Sequence, residues 1–222
     1  MLIDTKLLRQ KILDLAIRGK LVPQDPADEP ASELLKRIRA EKSALVKSGK
    51  LKKEKPLPSI PEDEIPFDIP DSWEWVRLCE IANVVSTKQH QILEKEVEKE
   101  GRIPVVSQGQ NVIDGYSDKV ELAIHDLPIV LFGDHTKNVK YLDFPFIIGA
   151  DGCKLVKLVT VSARWFYCWL SDAATRIDDR GYARHWGQIT KRIIPLPPLA
   201  EQKRIATKVE SIMNAIEKIT TN

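Results

Sequence analysis

Residues 176 to 188 set Arg176, Arg180, Tyr182, Arg184, His185, Trp186 and Gln188 among glycines 181 and 187. Clustered cations hold phosphate oxygens, aromatic rings stack on bases or wedge between them, and amides touch base edges. A second run, Ser107-Gln108-Gly109-Gln110-Asn111, concentrates the amide side chains that pair best with adenine. A third, His135-Thr136-Lys137-Asn138, mixes a cation, a hydroxyl and an amide in one polar loop. Together the three runs offer non-covalent reading of a nucleic acid. Each also has a plainer reading: the two short runs as polar turns, and the arginine-rich run as ion pairs with Asp172, Asp178 and Asp179.

Bond-making chemistry finds no comparable set. Amino-methylation of a flipped base needs a polar residue before Pro-Pro and an aromatic ring after it, and Leu196-Pro197-Pro198-Leu199 has neither. Gly133 and the Gly149-Ala150-Asp151-Gly152 segment make no dinucleotide fingerprint and suit turns instead. Glu201-Gln202-Lys203 has the Glu-x-Lys spacing of many nucleases, but it opens an expected helix and no strand presents it to a metal. His90, His125, His135 and His185 are isolated, and Cys79, Cys153 and Cys168 are odd in number and far apart. Neither a metal site, nor a cofactor, nor a disulfide framework is expected, only reduced and mostly buried thiols. No phosphate loop of the Walker type is present, so any ATP-driven step belongs to another chain.

The elements that must position these loops follow from periodicity. A short amphipathic helix is expected from Asp4 or Thr5 to Arg18, with Leu7, Leu8, Ile12, Leu15 and Ala16 on one face and Gly19 as its stop. A second runs from about Pro30 through Leu34, Leu35, Ile38 and Leu45 to Gly49. Prolines 56, 58, 61, 66 and 70 exclude regular structure from the stretch that follows, making it a linker or a strap. Strands are expected at Trp75–Leu78, Ile103–Ser107, Pro128–Phe132, Phe144–Ile148, Lys154–Val159 and Arg192–Leu196. Ser162 caps one helix carrying Trp165, Phe166, Trp169 and Leu170. Many short strands with few helices predict an α+β fold with a small irregular sheet. After Pro197 and Pro198 a long helix should run from Leu199 to about Thr220, its seam formed by Leu199, Ile205, Ala206, Val209, Ile212, Met213, Ile216 and Ile219. So narrow a seam asks for a partner helix.

Composition constrains less. The chain has 222 residues, 43% of them hydrophobic, and a formal net charge of only +2. The mean conceals local fields: Lys36, Arg37, Arg39, Lys42, Lys47, Lys50, Lys52, Lys53 and Lys55 form a basic stretch, reversed by Glu62, Asp63, Glu64 and Asp68. No leader or long apolar run is visible, which predicts a cytoplasmic protein without a membrane span.

Three segments resemble the DNA-specificity (S) subunits of type I restriction-modification systems. Pro195-Leu196-Pro197-Pro198-Leu199-Ala200-Glu201-Gln202-Lys203-Arg204-Ile205 is similar to the opening of that family's conserved helix. Leu13 to Gln24, followed by Asp28-Glu29-Pro30-Ala31, resembles the segment before a recognition domain, and Ile69 to Leu78 resembles the domain's entry. Gly133-Asp134-His135-Thr136-Lys137 also resembles a recurrent element of recognition domains. The resemblance implies a conserved helical segment at residues 1–49, a linker at 50–72, a target-recognition domain at 73–198 and a spacer helix at 199–222. It further implies a non-catalytic reader of double-stranded DNA that docks methyltransferase subunits and, through them, a restriction and translocase subunit. Family members usually carry two recognition domains in tandem, and this chain has one, so it resembles a half-length form.

A helix of that length spans on the order of 33 Å, against about 34 Å for a turn of B-DNA. Two copies joined along Leu8, Ile12, Leu15, Ile205, Val209, Ile212, Met213, Ile216 and Ile219 would then read a split, palindromic target as a homodimer. Two other readings stand beside this one: a protein-interaction module with a coiled-coil tail, and the specificity fragment of a fused restriction-methylation enzyme.

Overall fold

The fold is α+β, seen in a computed structural model that describes residues 4–52, 58–178, 181 and 183–220. Its elements in chain order are α1 (Thr5–Ile17), α2 (Ala31–Lys47), β1 (Glu74–Arg77), α3 (Leu78–Ile81), β2 (Ala82–Val85), β3 (Ile103–Val106), β4 (Gly115–Ser117), β5 (Ile129–Gly133), β6 (Val139–Leu142), β7 (Ile147–Ile148), β8 (Cys153–Leu158), α4 (Ala163–Thr175), α5 (Trp186–Ile189), β9 (Ile193–Leu196) and α6 (Leu199–Thr220). They sort into two compact units. The first holds Met1–Ile81, Val159–Asp172 and Arg192–Asn222, and the second holds Ala82–Leu158 and Ala173–Lys191.

In the first unit, α1 starts where the Asp4 carboxylate accepts the Leu7 N–H at 3.0 Å and stops at Gly19, whose φ is +67°. A β-carbon at residue 19 would run into the Pro70 ring at 2.6 Å, so glycine is needed for space as well as for its backbone angle. The second helix, α2, buries Ala31, Leu34, Leu35 and Ile38 along one face. Much of the basic stretch is spoken for on its other faces: Lys36 pairs with Glu33, Arg37 with Glu29 and Arg39 with Glu80, while Lys42 donates to the Cys79 carbonyl. Lys53 and Lys55 lie outside the described residues. β1 pairs antiparallel with β9, from Glu74 opposite Leu196 to Arg77 opposite Ile193.

Beyond β9, Pro197 and Pro198 hand the chain to α6. The residues that open α6 are interior ones. Glu201 accepts the Trp73 indole N–H at 2.8 Å and the Gln24 amide at 2.6 Å. Gln202 accepts the Ser162 N–H at 2.8 Å and donates to the Pro197 carbonyl at 2.9 Å. The Glu-x-Lys spacing is therefore structural: the carboxylate is buried against an indole and an amide. Among the described residues no group of His, Cys, Asp or Glu is placed to hold a metal ion.

Burial raises the Glu201 pKa, against the opposing pull of the hydrogen bonds from Trp73 and Gln24. A carboxyl that protonates more readily folded than unfolded makes the native chain bind more protons, so its contribution falls as pH rises from 4.5 through the raised value. Urea midpoints of wild type and Glu201→Gln, compared from pH 4.5 to 7, should therefore drift in the variant's favour as pH rises. A constant difference would contradict this.

The seam of α6 was expected to need a helix from another chain, and part of that need is met within the chain. Helices α1 and α6 pack together, antiparallel, with Arg9 reaching Glu217 at 3.5 Å near one end and Gln24, just past α1, reaching Glu201 at the other. Ile205, Ala206, Val209 and Ile216 are buried by the chain's own residues, while Ile212 and Met213 are half-buried. The Gly19 turn and the bonds to Glu201 bring the N-terminal helix back onto the rod, which is why no second copy is needed for this stretch. Left over are Leu7, Leu15 and Ile219, all exposed, with Leu8 and Ile12 half-buried.

The second unit contains two sheets. One runs β2-β8-β5-β6 with every neighbour antiparallel, and the other runs β4-β3-β7 with β3 and β7 parallel. Its core joins Val106, Ile129, Leu131, Leu142, Phe146 and Leu155. Strand β5 is buried along its whole length, as a central strand with only apolar side chains should be. Three of these strands, β2, β4 and β6, were not expected from the sequence, nor was the short α5. The expected strand at Phe144–Ile148 contracts to Ile147–Ile148, with Phe146 bridging Ile124 alone. Cys153 here and Cys168 in the first unit are buried free thiols whose pKa values burial pushes up to about 12, which keeps them protonated.

Candidate functional site

The three polar runs singled out above all belong to the second unit, and the structure gathers them. Ser107 to Asp114 is the loop of the β3–β4 hairpin, closed where the Asp114 N–H meets the Val105 carbonyl at 2.9 Å. His135 to Asn138 is the loop of the β5–β6 hairpin, with Lys137 at φ +62°. Arg184 to Gln188 leads into and forms α5.

Asp134, only 2% exposed, ties two of these runs together and reaches a third turn. Its carbonyl accepts the His185 N–H at 2.8 Å and lies 3.0 Å from His185 Nδ1, so that nitrogen carries the ring proton. One carboxylate oxygen accepts the Trp186 N–H at 2.7 Å, and the other faces Lys154 Nζ at 3.4 Å. Its own N–H donates to the Gly152 carbonyl at 2.7 Å. The Trp186 ring then packs on Phe132, centroid to centroid at 5.6 Å.

Gln108 performs the same service for the amide loop. Its side chain accepts the His135 N–H at 3.1 Å and donates to the Asp151 carbonyl at 2.9 Å. Its backbone carbonyl takes Thr136 Oγ1 at 2.6 Å and Asn138 Nδ2 at 3.0 Å. Gly152, with φ at +82°, lets the chain approach so closely that a β-carbon there would stand 2.7 Å from the Gln108 amide nitrogen.

The far side of the loop is held by Lys140, whose ammonium donates to the carbonyls of Ser107, at 2.5 Å, and of Asn111. Burial lowers the Lys140 pKa, with Asp114 pulling the other way.

The expected site residues thus divide by what their side chains already do. Gln108, Asn138 and His185 spend polar atoms on internal bonds, and Gln188 clamps Asp178 through both its oxygen and its nitrogen, at 3.1 and 3.2 Å. Gln110, Asn111, Thr136 and Arg184 are exposed, and Ser107, His135, Lys137 and Trp186 are partly so. Arg180 and Tyr182 lie outside the described residues.

Sequence reasoning did not single out Asp134 or Lys140 as the residues that fix these loops. A signal for Lys140 existed: in Val139-Lys140-Tyr141-Leu142 the lysine shares the inward phase of Leu142. Asp134 stood within a stretch, Gly133 to Lys137, that resembles a recurrent element of recognition domains, but its anchoring role was hidden because its partners are 18 to 52 positions away in sequence.

Comparison with known proteins bears on what such an arrangement does. The family model described as type I restriction modification DNA specificity domain matches residues 70–222. The chain is 68% identical over 79 residues to the type I restriction enzyme EcoAI specificity subunit of Escherichia coli, a match covering 36% of this chain and 13% of that protein. It is 25% identical over 154 residues to the EcoR124I/EcoR124II specificity subunit of the same organism, covering 66% of this chain and 38% of that one. Among solved structures, the HsdS subunit from Thermoanaerobacter tengcongensis shares the fold with a TM-score of 0.54 at 17% identity, over 98% of this chain and 50% of the other. The S subunit from M. genitalium follows with a TM-score of 0.51 at 16% identity, over 98% of this chain and 55% of its own. The chain spans only about half the length of these structural relatives.

Proposed function

The chain belongs to the family of type I restriction modification DNA specificity domains, and from that membership we propose that it is a non-catalytic subunit reading one half of a two-part target in double-stranded DNA. In this reading it docks methyltransferase subunits in the cytoplasm, engages a restriction and translocase subunit only through them, and leaves all covalent chemistry to those chains.

The observation that carries the proposal is the gathering of the polar loops around Asp134 and Gln108. Base reading needs side chains held within a fraction of an ångström, and rigid second-tier hydrogen bonds supply that. Within the recognition domain proposed for residues 73–198, Gln110 and Asn111 are then the exposed amides for base edges, while Arg184 and Lys137 meet phosphates. Ser107, His135, Trp186, Arg180 and Tyr182 border them, and Gln108, Asn138, His185 and Gln188 hold the loops in place. Helix α6, 22 residues long, spaces two such readers by about one DNA turn. Leu7, Leu15 and Ile219, the apolar residues its seam leaves uncovered, are the contacts for a second copy or for the methyltransferase helices.

Fluorescence anisotropy with duplex DNA across a salt series tests this. Binding should weaken linearly on a logarithmic salt scale. Arg184→Ala should weaken it on every sequence alike and reduce the slope by about 0.9, the yield of one phosphate contact. Absent or salt-independent binding, with and without methyltransferase subunits, would leave a protein-interaction module as the better account.

A further inference from the structure

We propose that Val112 and Ile113 form the apolar part of the base-reading surface and touch the 5-methyl group of a thymine in the major groove. This inference deepens the DNA-reading function proposed above and rests on it.

The β-branched residues of the neighbouring strands, Val105, Val106, Ile129, Val130, Ile147 and Ile148, are buried. Val112 and Ile113 are 52% and 37% exposed, side by side in the β3–β4 loop. Exposure of this kind is ordinary in a loose loop, and this loop is not loose. Lys140 grips it at Ser107 and Asn111, Gln108 pins it to His135 and Asp151, and the Asp114 N–H closes it on Val105. A fixed backbone carrying two side chains that are stiff at χ1 presents a shape set before any partner arrives.

What that shape fits follows from its neighbours. Gln110 and Asn111, exposed and immediately preceding, are the residue types that pair with adenine N6 and N7 in the major groove. The one apolar group that any base edge offers in that groove is the thymine methyl, and an A·T pair presents it beside the adenine edge. Amides followed by two branched aliphatics thus match the two halves of one kind of base pair.

The test begins with the full-length chain, joined by its methyltransferase subunits if binding requires them, selecting sites from a random duplex pool. Each thymine of the selected site is then replaced by deoxyuridine, which removes only the methyl group. Wild type should lose about fourfold in affinity at one or two of these replacements, the worth of one buried methyl. Val112→Ser or Ile113→Ser should bind the unsubstituted site correspondingly less tightly and should not distinguish thymine from deoxyuridine there. Both positions are exposed, so urea midpoints of the variants should match wild type. The inference falls if no replacement weakens wild type, or if both variants still sense the methyl group, an outcome that would give the apolar pair to a protein partner. If no site is selected at all, the DNA-reading function itself falls.

Discussion

Asp134→Ala should cost the second unit about 3 kcal/mol of stability and weaken sequence-specific DNA binding in chains that remain folded. The carboxylate is buried, accepts the Trp186 N–H and faces the Lys154 ammonium. Its removal leaves a backbone donor without its acceptor and a cation without its counter-charge, and both losses are dearer inside a protein than on its surface. The functional loss should exceed what stability alone explains, because Arg184 to Gln188 would keep the bonds from His185 to the residue-134 carbonyl but lose the anchor at the Trp186 N–H. Each 1.4 kcal/mol of ordering that must then be supplied on binding is a factor of ten in affinity, so a loss of about a hundredfold is expected. Asp134→Asn, which keeps an oxygen for Trp186 and drops the charge opposite Lys154, should fall between. Urea unfolding and anisotropy on one selected duplex measure the two effects separately. Wild-type affinity in a folded Asp134→Ala protein would show that the loops do not need this anchor.

The second large effect sets two positions of α6 against each other. Ile205 is 1% exposed and Ile219 is 61% exposed, although both belong to the same apolar stripe. Ile205→Asp places a carboxylate where no partner waits, and should cost at least 4 kcal/mol or prevent folding of the first unit altogether. Ile219→Asp should leave the unfolding midpoint within about 0.5 kcal/mol of wild type, yet, where Ile219 joins two copies as proposed above, shift the mass measured by light scattering from dimer to monomer. The contrast separates the part of the helix that serves the fold from the part left for association. Equal unfolding penalties at the two sites, or an Ile219→Asp protein that remains dimeric, would assign the exposed end no role in self-association.

The sequence made some of this legible for identifiable reasons. Helix α6 begins at Leu199, as expected, because Pro197 and Pro198 cannot continue a strand ladder and the apolar spacing starts at once. Gly19 and Gly49, both at positive φ, stop α1 and α2 where a helix needs a left-handed residue. Strands β2 and β6 escaped notice because four residues with one exposed or charged position carry little periodic signal, and β4 consists of Gly-Tyr-Ser. The intramolecular closure of the α1–α6 seam was equally hidden, since a heptad-like stripe says that a partner exists and not which chain supplies it. In the site, the polar loops were visible as loops, but which side chains face outward was not. Gln108 and Gln110 are the same residue type two positions apart. One is consumed by His135 and Asp151 and the other is exposed, a difference set by residues up to 43 positions away.

The ladder between β1 and β9 has an evolutionary reading. Glu74 lies opposite Leu196 and Arg77 opposite Ile193, so the main chain leaves this ladder and returns to it at facing residues. Whatever is spliced between those rungs inherits the same pair of attachment points, whatever its length or composition. Two crossovers, one within each of these short strands, would therefore exchange everything between Arg77 and Ile193 and leave the sequences of α1, α2 and α6 as they were.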